Sequence, residues 1–423
     1  MKNVNTKPVS GTQELLPEQQ MIFDNFKQTI TNRYAINGYL NVETPILERT
    51  DILLAKAGGE TEKQIYKVVK TFEADADASE ALRFDHTVPL ARYVVENESN
   101  LVFPFKAAQV GENFRGERAQ KGRFREFYQC DIDVIGRETL PLEYDADVIS
   151  TLLDAFSSFG LREKVVARIS NRKILEGLLE VLDLQGKAAD IYSIIDHSEK
   201  ASAEKTEAAL SEIGLSDDEK AKILTFMGIS GRADEVENSL RKLGIENNST
   251  FREGIFELTK VMNLLSQIDM KIIADMRIVR GLDYYTGTVF EFCLSDFKEV
   301  GSVCGGGRYE NLAGNFAGTR KFPGVGGSIG LNRLFYILRE KKLLNLELGK
   351  PIDIAVLPVT EAEVKKALEV AAEFRAEGSK VSVVYGDKKL GDKMKYAAKI
   401  AKCSIVVGEK EAASGKFEVK EFK

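Results

Sequence analysis

Only two histidines and four cysteines occur among the 423 residues. His86 and His197 lie far apart, and Cys130, Cys293, Cys304 and Cys403 are scattered without a CxxC pair. That leaves too few ligands for a built-in transition-metal centre and no disulfide framework, so reduced core thiols are expected. No apolar run reaches the roughly 18 residues that a membrane span requires. The N-terminus, MKNVNTKPVSG, has no apolar stretch behind its lysines, which argues against a cleaved signal and for a cytoplasmic protein. There is no GxxxxGK[ST] phosphate loop. A net positive charge is also lacking: 59 lysines and arginines stand against 65 acids, for a formal net charge of −6. The surface as a whole is therefore unsuited to coating nucleic acid, and any polyanion must be met locally.

What is present is an ordinary globular composition, 43% hydrophobic and 29% charged, in a chain long enough for two or three domains. PEQQMIFDNFKQTITNRYAINGY sets Phe23, Phe26, Ile30 and Tyr34 on one helical face, with Pro17 in the first turn and Gly38 at the end. YLNVETPILE reads as a short strand stopped by Pro45. FKAAQVG and FYQCDIDVI read as a hairpin around the basic loop FRGERAQKGRFRE. From about 182 to 254 short helical segments with polar joints predict a helical insertion, and strand character returns near Lys271. Beyond KLLNLELGKP, strands IDIAVLPV, KVSVVY and CSIVVGE alternate with two helices. One carries Val364, Leu368, Ala371 and Phe374 in register, and the other is the basic KKLGDKMKYAAKIA. That alternation predicts a small α/β domain with a largely parallel sheet.

Several stretches carry chemistry. FRGERAQKGRFREF concentrates Arg115, Arg118, Lys121, Arg123 and Arg125 with two glutamates and three interleaved phenylalanines. Arginine forks suit phosphate, and the rings offer a stacking platform; a solvated charged hairpin is the plain alternative. GVGGSIGLNRLFYIL reads as a strand and glycine turn feeding a helix that bears Arg333. In VCGGGRYENL the glycines allow a turn or a close backbone approach to a ligand. LRFDHTVPLARY sets Asp85 and Thr87 at a helix start, where capping is the simpler reading. MRIVRGLDYYTGTVFEF places Arg280, Tyr284 and Tyr285 ahead of a buried strand, an unusual place for charge and phenols.

Together these segments resemble the class II aminoacyl-tRNA synthetases: YLNVETPILE their first motif, FRGERAQKGRFREF the second, GVGGSIGLNRL the third. RGLDYYTGTVFE, CGGGRYENL, LRFDHTVPLARY and FYQCDIDVIG resemble the histidyl-tRNA synthetase family within that class. The resemblance covers nearly the whole chain. It implies an antiparallel-sheet catalytic domain over 1–345, interrupted by the helical insertion, and an α/β anticodon-binding-like domain over 350–423 that ends early at KFEVKEFK.

The resemblance also implies the activity: ATP-dependent activation of L-histidine to histidyl-adenylate, then transfer to the 3′ end of histidine tRNA by a homodimer. ATP with Mg²⁺ would be co-substrate, with no tightly bound cofactor and no built-in metal. Arg115 and Arg280 would meet the α-phosphate, Arg123 and Arg333 the terminal phosphates, and Phe127 and Arg333 the adenine, with Glu117 beside it. Asp85, His86, Thr87, Gln129, Asp133, Tyr284, Tyr285 and Tyr309, with Arg115 and Arg280, would form the histidine cradle. His86 stands where leucine or glycine is expected, and Asp133 is the shorter of the acids found at its position. Gln120 and Lys121 at the hairpin tip would approach the tRNA acceptor end, and Lys393 the anticodon stem. A histidine-binding regulatory subunit of ATP phosphoribosyltransferase and a tRNA-independent amide ligase are the competing expectations.

Overall fold

The computed structural model describes residues 5–55, 60–71, 78–279, 285–297, 301–310, 314–343 and 350–422. Two compact units separate: residues up to Gln13 with Lys27–Lys341, and Glu14–Phe26 with Lys342–Lys423.

The strands of the first unit are, in chain order, Leu40–Asn41 (β1), Leu47–Arg49 (β2), Lys67–Val68 (β3), Glu80–Leu82 (β4), Phe105–Phe114 (β5), Glu126–Ile135 (β6), Val165–Asn171 (β7), Ser230–Gly231 (β8), Lys271–Asp275 (β9), Thr288–Leu294 (β10), Ser302–Tyr309 (β11) and Gly324–Gly330 (β12). Among the described residues, one sheet runs β1-β5-β6-β12-β11-β10-β7-β9-β8, and β2, β4 and β3 form a small separate sheet. The large sheet is antiparallel from β5 through β7; only β1 with β5 and β7 with β9 pair in parallel.

One face of this sheet is closed by the helix Glu143–Ser158, whose Leu152 and Phe156 are fully buried beside Phe290 and Phe292 of β10. The glycine run of VCGGGRYENL is not a turn but the middle of β11. Alternation sends Gly306 toward the helix-covered face, where a Cβ would lie 2.6 Å from the Phe290 ring and 2.0 Å from the Gly326 carbonyl oxygen. Arg308 follows it down and pairs with Asp145 through bonds of 3.0 and 2.8 Å, with further donations to the Leu140 and Pro141 carbonyls at 3.1 Å. GVGGSIG is likewise a strand, β12, and the helix Leu331–Glu340 starts directly at its end without an intervening loop.

The expected first helix is Pro17–Ile36, with Gly38 beyond it at φ +82. YLNVETPILE yields a two-residue strand, β1, and then β2 after Pro45. Helices occupy most of 172–265, but Ser230–Gly231 returns to the sheet and pairs with β9, a strand shorter than sequence periodicity resolves.

The second unit contains Ile352–Pro358 (β13), Val381–Val383 (β14), Ala401–Val407 (β15) and Val419–Glu421 (β16) in the order β14-β13-β15-β16. The first two pairings are parallel and the last antiparallel. Its helix Val364–Ala376 buries Ala367, Val370 and Ala371, whereas Leu368 is 43% exposed, so the apolar stripe lies one position away from the one the sequence indicates.

Candidate active site

Strand β6 organises the site by alternation. Cys130, Ile132 and Val134 point into the core, and Phe127, Gln129, Asp131 and Asp133 line a cavity of about 450 Å³ on the other face. That volume suits a small-molecule substrate. The neighbouring strands expose little side chain here. Gly305, Gly326 and Gly330 line the same cavity, and a Cβ on Gly326 would fall 2.0 Å from Asp133 Oδ1. One on Gly307 would lie 2.8 Å from the Tyr285 ring, so the glycines make room for the acid and the phenol.

Charge is graded along this face. Phe127 to Asp133 spans about 20 Å of extended chain. Toward the Phe127 end stand Arg115, Glu117 and Arg123 of the hairpin loop and Arg333 of the helix after β12. The Arg115 guanidinium lies 4.3 Å over the Phe84 ring and 5.1 Å over that of Phe127, with its Nε donating to the Phe84 carbonyl at 3.3 Å. It is thereby oriented in advance of any ligand. Arg123 faces the Glu117 carboxylate at 3.5 Å. Arg125 instead clasps the N-terminal segment, donating from its backbone to Gly11 at 2.7 Å and from its side chain to Ser10 at 3.2 Å.

Toward the other end the lining turns acidic and phenolic. The Tyr309 hydroxyl donates to Asp133 Oδ1 at 3.0 Å. Burial lifts the Asp133 carboxyl to about 8, and the neighbouring Asp131 carboxylate adds to the lift. At neutral pH Asp133 is therefore largely protonated, a carboxylic acid able to donate as well as accept. Burial also raises the Asp85 carboxyl, opposed by the Val88 N–H that donates to its Oδ1 at 3.0 Å and by Arg115. Asp85 thus both caps the helix Thr87–Glu96 and lines the cavity with Thr87. Gln129 is oriented by its neighbours: its amide donates to Ser328 Oγ at 2.6 Å and its carbonyl accepts from Asn113 at 3.0 Å.

The helical insertion also reaches the cavity, through Asp196, Glu199 and Lys200. Glu199 accepts from Arg168 of β7, which bonds Asp275 at 2.9 Å; Asp275 in turn takes the Arg277 guanidinium at 2.8 Å. The sequence reading placed the chemistry on either side of the insertion because no local pattern reports a contact between residues so far apart.

The chain that forms this pocket is similar to known proteins over nearly its whole length. The family model described as Histidyl-tRNA synthetase matches residues 11–334, and one described as Anticodon binding domain matches residues 353–423. The chain belongs to the histidyl-tRNA synthetase family. The Histidine–tRNA ligase of Clostridium tetani is 43% identical over 99% of this chain and 95% of its own length. The crystal structure of histidyl-tRNA synthetase from Nostoc sp. PCC 7120 superposes with a TM-score of 0.86 at 35% identity, covering 99% of this chain and 95% of that one. A Bacillus halodurans structure titled ATP phosphoribosyltransferase regulatory subunit/histidyl-tRNA synthetase has a TM-score of 0.78 at 21% identity, covering 96% of this chain and 99% of that one, and shares the fold.

The candidate residues of the family motifs assemble in two groups around the one cavity: Arg115, Glu117, Arg123, Phe127 and Arg333 as the first, Asp85, Thr87, Gln129, Asp133, Tyr285 and Tyr309 as the second. Gln120 and Lys121 sit apart, exposed on a tight hairpin tip closed by paired bonds between Gln120 and Arg123 at 3.1 and 2.9 Å. Arg280 and Tyr284 lie outside the described residues.

Two candidates need correction. His86 does not line the cavity: it is 1% exposed, and its Nδ1 donates to Asp131 Oδ2 at 3.1 Å from behind. Lys393 is 3% exposed and donates to the Pro358 carbonyl at 2.8 Å, so it cannot meet a tRNA phosphate. It lies one turn from buried Ala397 on the helix Leu390–Ile400, and its long stem runs through the core to a polar atom at the end of β13. Sequence reasoning also passed over Asp131, although the alternation of DID put it on the same face as Asp133.

Proposed function

We propose that the protein activates L-histidine with ATP to histidyl-adenylate and transfers the histidyl group to the 3′ end of histidine tRNA. The observation that carries this is the charge gradient of one cavity, arginines at one end and buried acids with phenols at the other. A nucleoside triphosphate complements the first end and a cationic, ring-bearing amino acid the second. In the first step the histidine carboxylate attacks the α-phosphorus and the bond to pyrophosphate breaks. In the second, a ribose hydroxyl of the tRNA attacks the carbonyl carbon and AMP leaves.

In this reading Arg115 and Arg280 together stabilise the charge that develops on the α-phosphate. Arg123 and Arg333 take the terminal phosphates, and Phe127 and Arg333 hold the adenine beside Glu117. ATP would bring Mg²⁺, a hard cation suited to phosphate and carboxylate oxygens, and Glu117, which lines the cavity, would be the acid of the hairpin to assist. Asp85, Thr87 and Gln129 receive the amino-acid backbone; Asp133, Tyr285 and Tyr309, with Tyr284, receive the ring. A site that hydrogen-bonds both ring nitrogens rejects apolar isosteres, which would leave its polar groups unpaired.

Several features support the tRNA and homodimer parts of the reading. Gln120 and Lys121 are exposed beside the pocket's hairpin, where an acceptor end has to arrive. In the second unit Lys388, Lys389 and Lys395 are exposed with Tyr385 and Tyr396, cations and stacking surfaces suited to a single-stranded loop. Leu40, Ile46 and Leu47 of the first motif are 62%, 40% and 43% exposed, apolar surface for a second copy to cover. No helix among the described residues is long and apolar enough to cross a membrane, and the compartment expected is the cytoplasm.

The test is histidine-dependent exchange of pyrophosphate into ATP, followed by charging of purified histidine tRNA. Histidine binding without exchange would overturn the reading in favour of a regulatory subunit; exchange without tRNA charging would favour an amide ligase.

A further inference from the structure

Asp131 stands between Gln129 and Asp133 on the pocket face of β6, yet no motif of the sequence assigned it a task. It is 4% exposed. Its Oδ2 accepts from His86 Nδ1 at 3.1 Å, and its Oδ1 is buried with no hydrogen-bond partner among the described residues, in a residue that lines the cavity. A buried carboxylate oxygen without a donor is costly, so one that is retained calls for a donor from outside the chain.

Two neighbouring donor groups bond elsewhere, while the Ser328 hydroxyl, opposite Asp131 on β12, accepts from Gln129. Arg83 donates to the Glu112 and Thr44 carbonyls, both at 2.7 Å. The Gln109 amide, opposite Asp131 on β5, donates to the His86 carbonyl at 3.3 Å. The Gln129 amide is taken by Ser328, and its carbonyl already accepts from Asn113. Gln129 is thus a poor acceptor for a further cation, while Asp131 is one pleat away with an oxygen to spare. The ring end, where Tyr309 meets Asp133, lies one pleat further on.

The position of His86 is itself built. Its carbonyl accepts from Leu90 N at 2.9 Å in the first turn of the helix Thr87–Glu96, and its ring lies against Gly111, where a Cβ would come within 3.3 Å of Nε2.

Resting on the proposed activation of histidine, we propose that Asp131 is a further amino-acid-binding residue whose Oδ1 accepts from the substrate's α-ammonium, and that His86 is a positioning residue fixing that carboxylate through Oδ2. The α-ammonium brings three N–H donors, and Asp85 and Asp131 then flank it with charge. The raised carboxyl of Asp133 fits this arrangement, since the Asp131 carboxylate beside it awaits a cation.

The experiment compares binding of L-histidine with that of imidazolepropionate, which keeps the ring and carboxylate but lacks the ammonium, alongside exchange kinetics. Asp131→Asn is expected to weaken histidine binding and raise KM for histidine by about tenfold or more, as expected for losing a charge-assisted hydrogen bond. KM for ATP, the melting temperature and imidazolepropionate binding should stay near wild type. His86→Leu should shift KM for histidine in the same direction by a smaller factor, His86→Asn should restore part of the loss, and His86→Leu should add nothing in the Asp131→Asn background. An unchanged KM for histidine in folded Asp131→Asn overturns the binding role. Equal weakening of both ligands overturns the ammonium assignment, and an additive double variant overturns positioning by His86. If Asp131→Asn fails to fold, the His86 pair of variants carries the test, and an unchanged KM in His86→Leu then overturns the proposal. Wild-type protein that binds histidine but supports no exchange would refute the activation reading alone, and the comparison of the two ligands would still decide the role of Asp131.

Discussion

The two faces of the central sheet hold buried charge in opposite ways. On the helix-covered face Arg308 and Asp145 satisfy each other, and the guanidinium gives two further donors to carbonyls. On the cavity face Asp85, Asp131 and Asp133 are buried together, with Tyr309 and His86 meeting only part of their capacity. The first arrangement is complete as folded. The second leaves Asp131 Oδ1 without a donor among the described residues. Burial alone therefore does not separate scaffold from site; what separates them is whether the chain supplies the partner.

The sharpest way to break that distinction is on the helix-covered face. Arg308→Met leaves Asp145 as an uncompensated buried carboxylate and should cost about 3–5 kcal/mol of stability by denaturant unfolding. Replacing both partners with apolar residues should recover much of it. If Arg308→Met left stability intact but abolished exchange, Arg308 would belong to the site.

On the cavity face the opposite pattern is expected. Arg115→Ala should slow adenylate formation by about 100-fold or more, roughly 3 kcal/mol of transition-state stabilisation, with little change in melting temperature, and the proposed role of Arg280, outside the described residues, predicts the same for Arg280→Ala. Near-normal pyrophosphate exchange in either folded variant would remove that arginine from the reaction.

Asp133 gives a quieter test. Its carboxyl ordinarily titrates near 3.8 and in the fold at about 8. Between those values the folded protein holds a proton that the unfolded chain has released, so stability falls as pH rises through this window and levels off above it. Asp133→Asn should remove that component, a slope of at most about 1.4 kcal/mol per pH unit, from unfolding free energies measured between pH 5 and pH 8. An unchanged slope would mean that Asp133 is already ionised in the empty pocket.

The smallest effects belong to the tRNA contacts. Gln120→Ala should reduce transfer several-fold while leaving exchange intact, about 1 kcal/mol for one hydrogen bond to a base edge or ribose. Lys389→Glu should weaken tRNA binding with a shallower dependence on salt, the mark of a lost phosphate contact. Parallel loss of exchange and transfer in either variant would move that residue into the small-molecule site.

Much of this was legible in the sequence for a simple reason. The β5–β6 hairpin, the basic loop and the helix bearing Arg333 are local patterns, and local patterns survive in one dimension. What was missed depends on partners distant in the chain. The glycines of VCGGGRYENL resemble a turn until Phe290 and Gly326 are seen pressing on them from neighbouring strands. Lys393 belongs to a basic cluster until the helix face it occupies is known to be the inward one. His86 looked like a ligand-binding group because it sits between Asp85 and Thr87, yet its position at the helix start turns its ring behind the pocket wall. The reach of Glu199 to the cavity was hidden in the same way, since its partner Arg168 lies on the far side of two helices.

The short strand β8 has a consequence for how the chain tolerates editing. Ser230 and Gly231 cover the outer side of β9, where Ser230 pairs with Asp275 and Gly231 with Ala274. Deleting the segment between Leu182 and Gly254 would remove that cover, make β9 the edge strand and add Ala274 and Asp275 to the backbone that β8 leaves uncovered. Such an edge is a template for another chain, so the shortened protein should self-associate through β9 even where its pocket residues remain correctly placed.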